Sequence, residues 1–262
     1  MAAFRAVEER RFRGNTGSNP VGSIRKKSFL GDFMSYRPMM PEKQVQERQK
    51  WHDKAYNEMK NRKNLSLTYL GRKFIVPKQV FPPAPMSKLL GKSVLKEVKK
   101  TDRVLDMGTG SGVNAILAAS KSSDVVAVDI NPYVIRCAKL NAKKNKVDSR
   151  IKFLNSDLFE EVKGKFDLII FDPPFRWFTP RDMLERSVAD KNYSTLTAFF
   201  RSAKKYLNEN GRILIFFGTS GDLNYLKFLI KKHEFKKKEM ARKELIKNGR
   251  KYVYYTYKLS VS

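Results

Sequence analysis

The stretch Asp106-Met-Gly-Thr-Gly-Ser-Gly112 decides the fold of this chain. It overlaps the segment Arg103-Val-Leu-Asp-Met107, whose apolar residues and β-branched valine are typical of a buried strand. Its three glycines permit positive φ and let a ligand approach the backbone closely. The apolar residues from Val113 to Ser120 then predict a helix. A glycine-rich turn that leads into a helix N-terminus is a common nucleotide-binding arrangement, and a tight turn without a ligand is the alternative.

A second predicted strand, Asp124-Val-Val-Ala-Val-Asp129, ends on a carboxylate about 20 residues after the first glycine. In dinucleotide-binding folds, a carboxylate at this position accepts hydrogen bonds from ribose hydroxyls. Asn131-Pro132 predicts the start of the next helix, with Asn131 as its N-cap. A capping role alone is the alternative for Asp129, and the two roles are compatible. We predict that Asp129 binds a ribose.

The most specific motif is Asp172-Pro-Pro-Phe175, which follows the apolar strand Phe166-Asp-Leu-Ile-Ile-Phe171. Two prolines fix φ and remove backbone donors, so the carbonyl groups of this turn are acceptors with a set direction. Asp172 adds a carboxylate acceptor, and Phe175 offers a ring for stacking a planar group. Two acceptors can hold the hydrogens of an exocyclic amine, and catalysis is then mainly positioning. A turn that only ends the strand is the alternative.

In this order, the glycine loop, the acidic strand end and the Asp-Pro-Pro-Phe turn resemble the class I S-adenosylmethionine-dependent N-methyltransferases. The resemblance covers about residues 103–217. It implies an α/β fold with a Rossmann-like seven-stranded sheet, helices on both faces, and S-adenosylmethionine as the cofactor across the carboxyl edge of the sheet. It also assigns Asp157, which follows the predicted strand Arg150-Ile-Lys-Phe-Leu154, to the adenine amino group. A turn role is the alternative for Asp157.

The resemblance assigns two sets of site residues and no metal. The expected cofactor-binding residues are Asp106, Gly108, Thr109, Gly110, Gly112, Asp129, Ile130, Asp157 and Leu158. The expected catalytic residues are Asp172, Pro173, Pro174 and Phe175. It also implies that the connector around Gln79 and Phe81 covers the donor.

The substrate is harder to assign, because the same turn serves enzymes that act on adenine N6, on guanine N2 and on the glutamine side-chain amide. Aspartate at position 172 resembles the purine enzymes. The glycine loop and Pro77-Lys-Gln-Val-Phe-Pro82 resemble the glutamine enzymes. The chain has 54 Lys and Arg against 26 Asp and Glu, a net charge of +28. The positive electrostatic potential of such a chain favours binding of a polyanion through its phosphates. A lysine-rich surface that is only solvated is the alternative.

We therefore predict methyl transfer to an exocyclic amino nitrogen of a purine in RNA, with ribosomal or transfer RNA as the partner. One alternative is a protein glutamine N5-methyltransferase that acts on a translation factor. Another is a non-catalytic RNA-binding module that keeps the fold, which the intact Asp172-Pro-Pro-Phe175 disfavours.

The sequence divides into three predicted regions. The composition of residues 1–33 predicts disorder, and two further hypotheses are that translation begins at Met34 or that this segment is a basic RNA-binding arm. Residues 34–85 predict an extension with a polar helix and a hairpin that bends at Tyr69-Leu-Gly-Arg72. Residues 86–262 predict the methyltransferase domain, and Asn248-Gly249 is typical of a hairpin between its last strands.

The remaining polar residues exclude several other kinds of site. The single cysteine, Cys137, allows no internal disulfide and lies on an apolar helix face, so no thiol nucleophile is indicated. His52 and His233 stand alone in the sequence, without metal-ligand spacing. No apolar run is long enough to span a membrane, and no secretory signal is visible. A cytoplasmic protein is therefore expected.

Overall fold

The computed structural model describes residues 36–247 and 249–261. The expectations for residues 1–33 and for Asn248 lie outside these ranges. The helices within them are α1 (Glu42–Lys60), α2 (Lys88–Glu97), α3 (Val113–Ala118), α4 (Pro132–Lys144), α5 (Ser194–Ala203) and α6 (Leu223–Lys232). The strands are β1 (Leu65–Tyr69), β2 (Arg72–Val76), β3 (Arg103–Met107), β4 (Asp124–Asp129), β5 (Ile151–Asn155), β6 (Phe166–Phe171), β7 (Leu207–Gly218), β8 (Phe235–Lys247) and β9 (Arg250–Val261).

Seven strands form one sheet in the order β5-β4-β3-β6-β7-β9-β8. The first five strands are parallel, while β9 runs antiparallel to both β7 and β8. One core cluster joins α2, α3 and α4 to one face of the sheet, and a second joins α5 and α6 to the other. Central parallel strands are buried on both faces, which explains their continuous apolar runs. The predicted Rossmann-like sheet with helices on both faces is confirmed.

The strand order reverses at β3. The chain passes from β3 to its neighbour β4 on one side, and later returns to place β6 on the other side. In open α/β sheets, ligands bind outside the carboxyl ends of the strands at such a switch point. The glycine loop, Asp129 and the Asp172-Pro-Pro-Phe175 turn follow β3, β4 and β6, so the topology brings them to one edge.

The hairpin of β1 and β2 turns at Leu70 and Gly71, which have φ of 47° and 79°. Two central residues with positive φ are the requirement of a type I′ turn, whose twist matches that of the strands. The second strand ends at Val76, because Pro77 has no N–H for the ladder. Asn141 of α4 exchanges two hydrogen bonds with the backbone of Ile75, at 2.9 and 3.0 Å, and so anchors the hairpin.

Candidate active site

A cavity of about 520 Å³ lies at the carboxyl edge of the sheet, within the size of small-molecule sites. We call it the active-site cavity. Its walls come from the loops after β3, β4, β5 and β6, from the connector between β2 and α2, and from α1. The predicted site residues that line it are Gly108, Thr109, Gly110, Asp129, Ile130, Asp157, Leu158, Asp172, Pro173, Pro174 and Phe175. Gln79 and Phe81 also line it, whereas Asp106 and Gly112 do not appear on its walls.

The glycine loop has the backbone that its sequence predicts. Gly108, Gly110 and Gly112 have φ of 65°, 55° and 87°, in the left-handed region that side chains disfavour. The Thr109 N–H donates to the carbonyl oxygen of Val128 at 2.8 Å, which ties the loop to β4. A Cβ atom on Gly110 would meet nothing within 4 Å, so the loop presents open backbone to the cavity.

Asp106 holds the loop from behind. Its carboxylate is 1% exposed, and Oδ2 accepts hydrogen bonds from the Thr109 hydroxyl at 2.6 Å and from the Ala115 N–H at 3.0 Å. Its Oδ1 has no hydrogen-bond partner among the described residues. Burial raises the pKa of Asp106 to about 7, against the lowering effect of these two donors. The residue therefore fixes the loop to the start of α3.

Gly112 also acts through packing. A Cβ atom at this position would lie 3.1 Å from the Cα of Ala138 in α4. Glycine therefore allows α3 and α4 to approach each other directly behind the loop.

Asp129 ends β4 at the cavity and is held by two backbone donors. Its Oδ2 accepts from the Gly110 N–H at 3.1 Å, and its Oδ1 accepts from the Asn131 N–H at 3.0 Å. Burial raises its pKa above the usual range of a carboxyl group. Asn131 caps α4 as predicted, because its side chain accepts from the Tyr133 N–H. The carboxylate thus has a fixed direction, and its remaining lone pairs are available to hydroxyl groups.

Asp157 also lines the cavity and forms an ion pair with Arg186 at 3.2 Å. Both side chains are about two-fifths exposed, so the pair is screened by water. Leu158 has φ of 49°, an uncommon conformation for a γ-branched residue. The pair links the turn after β5 to the loop that follows the Asp172-Pro-Pro-Phe175 turn.

Asp172 is the only titratable residue of its turn and lines the cavity. Burial raises its pKa to about 7, although a hydrogen bond from the Ser87 hydroxyl opposes the shift. Burial, together with the charge of Asp172, raises the pKa of Tyr69 above its usual range. The buried Tyr69 hydroxyl has no hydrogen-bond partner within the described residues. The base of the cavity therefore combines a carboxyl group that titrates near neutral pH with two hydroxyl groups.

Phe175 is held rigidly on both its backbone and its ring. Its carbonyl oxygen accepts from the Tyr193 hydroxyl at 2.6 Å, and that hydroxyl accepts in turn from the Asp222 N–H at 2.8 Å. Its ring centroid lies 4.7 Å from that of Phe217. Aromatic contact at this distance fixes the orientation of the ring. The turn is therefore supported from β7 and from the loop before α6.

Arg176 follows the turn and is 9% exposed. Its guanidinium lies over the ring of Trp51 at 4.5 Å and donates to the Ser220 carbonyl oxygen, while its Nε has no partner among the described residues. Burial lowers its pKa to about 10, so it remains charged at neutral pH. A buried cation that lines the cavity is a candidate contact for an anionic group of the substrate.

His52 forms a tertiary contact that the sequence does not indicate. Its Nε2 lies 2.7 Å from Oε1 of Glu185, which is 133 residues away in sequence. Glu185 also accepts from Arg181, and Arg181 reaches Asp53 of α1 at 3.1 Å. Burial opposes ionisation, but the hydrogen bonds from Arg181 and His52 hold the pKa of Glu185 at about 2. This network ties α1 to the loop after β6, and its member His52 lines the cavity.

The comparisons with known proteins concern the family and the fold of this chain. Residues 85–245 match the model of the methyltransferase small domain family. A Methanocaldococcus jannaschii protein, whose name proposes it as a protein N5-glutamine methyltransferase, is 47% identical over 40% of this chain and 52% of its own. The release factor glutamine methyltransferase of Haemophilus influenzae is 31% identical over 43% of this chain and 45% of its own. This chain thus spans about half or less of the curated relatives it matches.

Solved structures show the same fold. The tRNA m1G37 methyltransferase of Methanocaldococcus jannaschii has a TM-score of 0.58 and 22% identity, over 77% of this chain and 58% of that one. The ribosomal protein L11 methylase of Lactobacillus delbrueckii has a TM-score of 0.53 and 20% identity, over 69% of this chain and 81% of that one. Among the described residues, no helix combines the length and the apolar character needed to cross a membrane.

The residues present fit a nucleoside cofactor. The glycine loop leaves open space at Gly110, and the carboxylate of Asp129 is held toward the same cavity. These are the two features that a ribose and its neighbouring groups require. The match of residues 85–245, the sheet order and this cavity establish that the chain belongs to the methyltransferase small domain family, whose cofactor is S-adenosylmethionine.

Proposed function

We propose that this protein methylates an exocyclic amino nitrogen of a purine in RNA, either adenine N6 or guanine N2. One observation carries the proposal. The Asp172-Pro-Pro-Phe175 turn lines the same cavity as the open glycine loop and Asp129. Methyl transfer to nitrogen needs the methyl donor and the amine in one cavity, with hydrogen-bond acceptors that position the amine. This cavity combines a site for the methyl donor with a turn that offers such acceptors.

The donor is held by Asp129 at the ribose and by Asp157 at the adenine amino group. When bound, S-adenosylmethionine supplies a methyl group on a positively charged sulfur, which is an electrophile. The glycine loop excludes side chains from the donor and brings backbone close to it. Arg186 holds Asp157 at 3.2 Å and so limits its motion.

Asp172 holds the amine. In its ionised form the carboxylate accepts a hydrogen from the amino group, which directs the nitrogen lone pair away from the purine ring and toward the donor. Phe175 stacks on the base and keeps its plane fixed. Because the pKa of Asp172 is about 7, its carboxylate is also able to accept the proton that the amine loses after it is methylated.

Charge supports RNA as the substrate. The net charge of +28 favours a polyanion, and Arg176, Arg186 and Lys247 line the cavity. Trp51 and Tyr56 also line it, and such rings stack on bases that are extruded from RNA. Basic and aromatic residues in one cavity are typical of single-stranded nucleic-acid sites.

A second candidate is N5-methylation of a protein glutamine. The identities with the M. jannaschii and H. influenzae proteins support it, since both names state glutamine methylation. A glutamine amide is also planar and carries the same two hydrogens. Aspartate at position 172 and the cationic cavity favour the purine.

Labelled methyl transfer separates the two candidates. The full chain is incubated with methyl-labelled S-adenosylmethionine and with total RNA or total protein from cells that lack this gene. We expect label in RNA with the wild type and none with Asp172→Ala. Label in a protein band with none in RNA would show that glutamine is the substrate.

A further inference from the structure

We propose that a second cavity beside the active site binds the nucleotide next to the target nucleotide in single-stranded RNA. This inference rests on the proposed function. The second cavity, here the flanking cavity, has a volume of about 200 Å³ and is lined by Arg48, Lys50, Trp51, Lys247, Arg250 and Tyr252, together with Glu47. It shares Trp51 and Lys247 with the active-site cavity, so these two side chains form a common wall.

The flanking cavity carries uncompensated positive charge. Glu47 pairs with Arg250 and neutralises it. Arg48 donates from Nη2 to the Thr219 carbonyl oxygen at 2.6 Å, and its Nε has no partner within the described part of the chain. No described carboxylate lies within ion-pair distance of Arg48 or Lys247. The cations of the cavity lining therefore outnumber its one carboxylate, and the cavity suits an anionic ligand.

Arg176 adds a further cation to the Trp51 side chain that separates the two cavities. Trp51 has the Arg176 guanidinium over its ring at 4.5 Å and the Lys247 ammonium at 5.0 Å. Arg176 is nine-tenths buried with an unpartnered Nε, and it lines the active-site cavity. A buried cation without a carboxylate is costly, and a phosphate that contacts the guanidinium from the active-site cavity offsets this cost. A phosphate beside Trp51 would join a nucleotide in one cavity to a nucleotide in the other.

The aromatic residues specify a base in addition to a phosphate. The ring centroids of Trp51 and Tyr252 lie 5.2 Å apart with planes inclined by 41°. Bases stack on aromatic rings with little sequence preference. Because Arg176 and Lys247 already lie over the ring of Trp51, the proposed base stacks on the Tyr252 ring, which Trp51 supports from the side. The volume of the cavity is below the ~300–1,000 Å³ of sites for whole small molecules, so it suits one unit of a polymer. An acidic peptide would use the cations and leave these rings without a role.

The experiment measures binding of a short fluorescein-labelled single-stranded RNA of random sequence to the full chain, by anisotropy between about 50 and 200 mM salt. We expect Lys247→Ala to reduce the slope of log affinity against log salt by about one, the mark of one lost phosphate contact. Lys139→Ala, an equal change of charge on the exposed face of α4, should leave the slope unchanged. Equal slopes for both variants would overturn the proposal.

Stacking is tested separately. Trp51→Ala and Tyr252→Ala should each weaken RNA binding about tenfold, and Trp51→Phe should restore most of the loss. If Trp51→Ala does not fold, Tyr252→Ala still tests the stacking. Failure of both alanine variants to weaken binding would overturn the base subsite. Competition by polyglutamate as effective as that by unlabelled RNA would show an acidic peptide site instead.

Methyl transfer distinguishes this inference from the proposed function. If wild type labels RNA and Lys247→Ala has the same KM as Lys139→Ala, the flanking cavity is not used and the proposed function stands. If wild type labels no RNA, the proposed function itself fails, whatever the binding data show. We expect labelling of RNA by wild type and a KM raised about tenfold by Lys247→Ala.

Discussion

The backbone N–H of Gly110 donates a hydrogen bond to Oδ2 of Asp129 at 3.1 Å. This contact couples the glycine loop after β3 to the acidic end of β4. Gly110 has a left-handed conformation, with φ of 55°, and in this conformation it both leaves open space toward the cavity and donates to the carboxylate. The two predicted cofactor motifs therefore act as one unit.

Two alanine substitutions in the loop separate donor binding from stability. Gly110→Ala places a methyl group in open space, so we expect a loss of about 1 kcal/mol from its positive φ and a clear weakening of S-adenosylmethionine binding. Gly112→Ala places its methyl group 3.1 Å from Ala138, and we expect a loss of about 1–3 kcal/mol of unfolding free energy. Urea unfolding and calorimetric titration measure the two effects. Equal stability of the two variants would contradict the assigned packing role of Gly112.

Removal of Asp129 and removal of Asp172 should affect different steps, binding of the methyl donor and turnover. Asp129→Ala removes a ribose acceptor, and we expect donor affinity to fall about tenfold to a hundredfold. Asp172→Ala removes the acceptor for the amine, and we expect turnover to fall ~10²-fold or more while donor affinity is kept. Titration with S-adenosylmethionine and single-turnover methylation measure these quantities. Unchanged donor affinity in Asp129→Ala would remove Asp129 from the site.

Asp106 predicts a pH dependence of stability. Its folded pKa is about 7 and its unfolded pKa is about 3.9, so the folded form binds the proton more tightly. Its contribution is fully present below about pH 4 and is lost as the pH rises through about 7. Asp106→Asn cannot ionise, so its thermal midpoint should rise relative to wild type between about pH 4 and 8. A constant difference over this range, measured by circular dichroism, would contradict the burial of an ionisable Asp106.

Glu185 should stabilise the contact between α1 and the loop after β6 at neutral pH. Glu185→Gln removes the charge that accepts from Arg181 and His52, and we expect a loss of about 2–3 kcal/mol of unfolding free energy. The difference should shrink as the pH falls from about 4 toward 2, because the folded pKa is about 2. Glu209→Gln, on an exposed position of β7, should change stability by less than about 0.5 kcal/mol. Chemical unfolding at several pH values measures both variants.

The single strands, turns and caps could be predicted from the sequence because those features are local, whereas the order of the seven strands was implied by the family resemblance. A glycine-rich turn needs positive φ, parallel strands need apolar runs, and an Asn-Pro pair starts a helix. Each of these rules depends on a few neighbouring residues. The bend of the first hairpin and the cap at Asn131 were predictable for the same reason.

The sequence could not predict contacts that the tertiary fold creates. Asp106 stays predicted to bind the donor, and its hydrogen bonds from the Thr109 hydroxyl and the Ala115 N–H are the contacts that the sequence did not indicate. The pair of His52 and Glu185 joins residues 133 positions apart, and no local pattern indicates it. The cationic wall around Trp51 likewise depends on α1 lying beside the end of β8. The burial and pairing of charged side chains could therefore not be predicted from sequence patterns.

Mass spectrometry of nucleosides is the most direct test of the central claim, that the cavity methylates an exocyclic purine amine in RNA. RNA that the wild-type chain has labelled is digested to nucleosides and compared with RNA treated with Asp172→Ala. We predict N6-methyladenosine or N2-methylguanosine in the first sample and neither in the second. A methyl group on a ring nitrogen, or N5-methylglutamine in protein with unlabelled RNA, would contradict it.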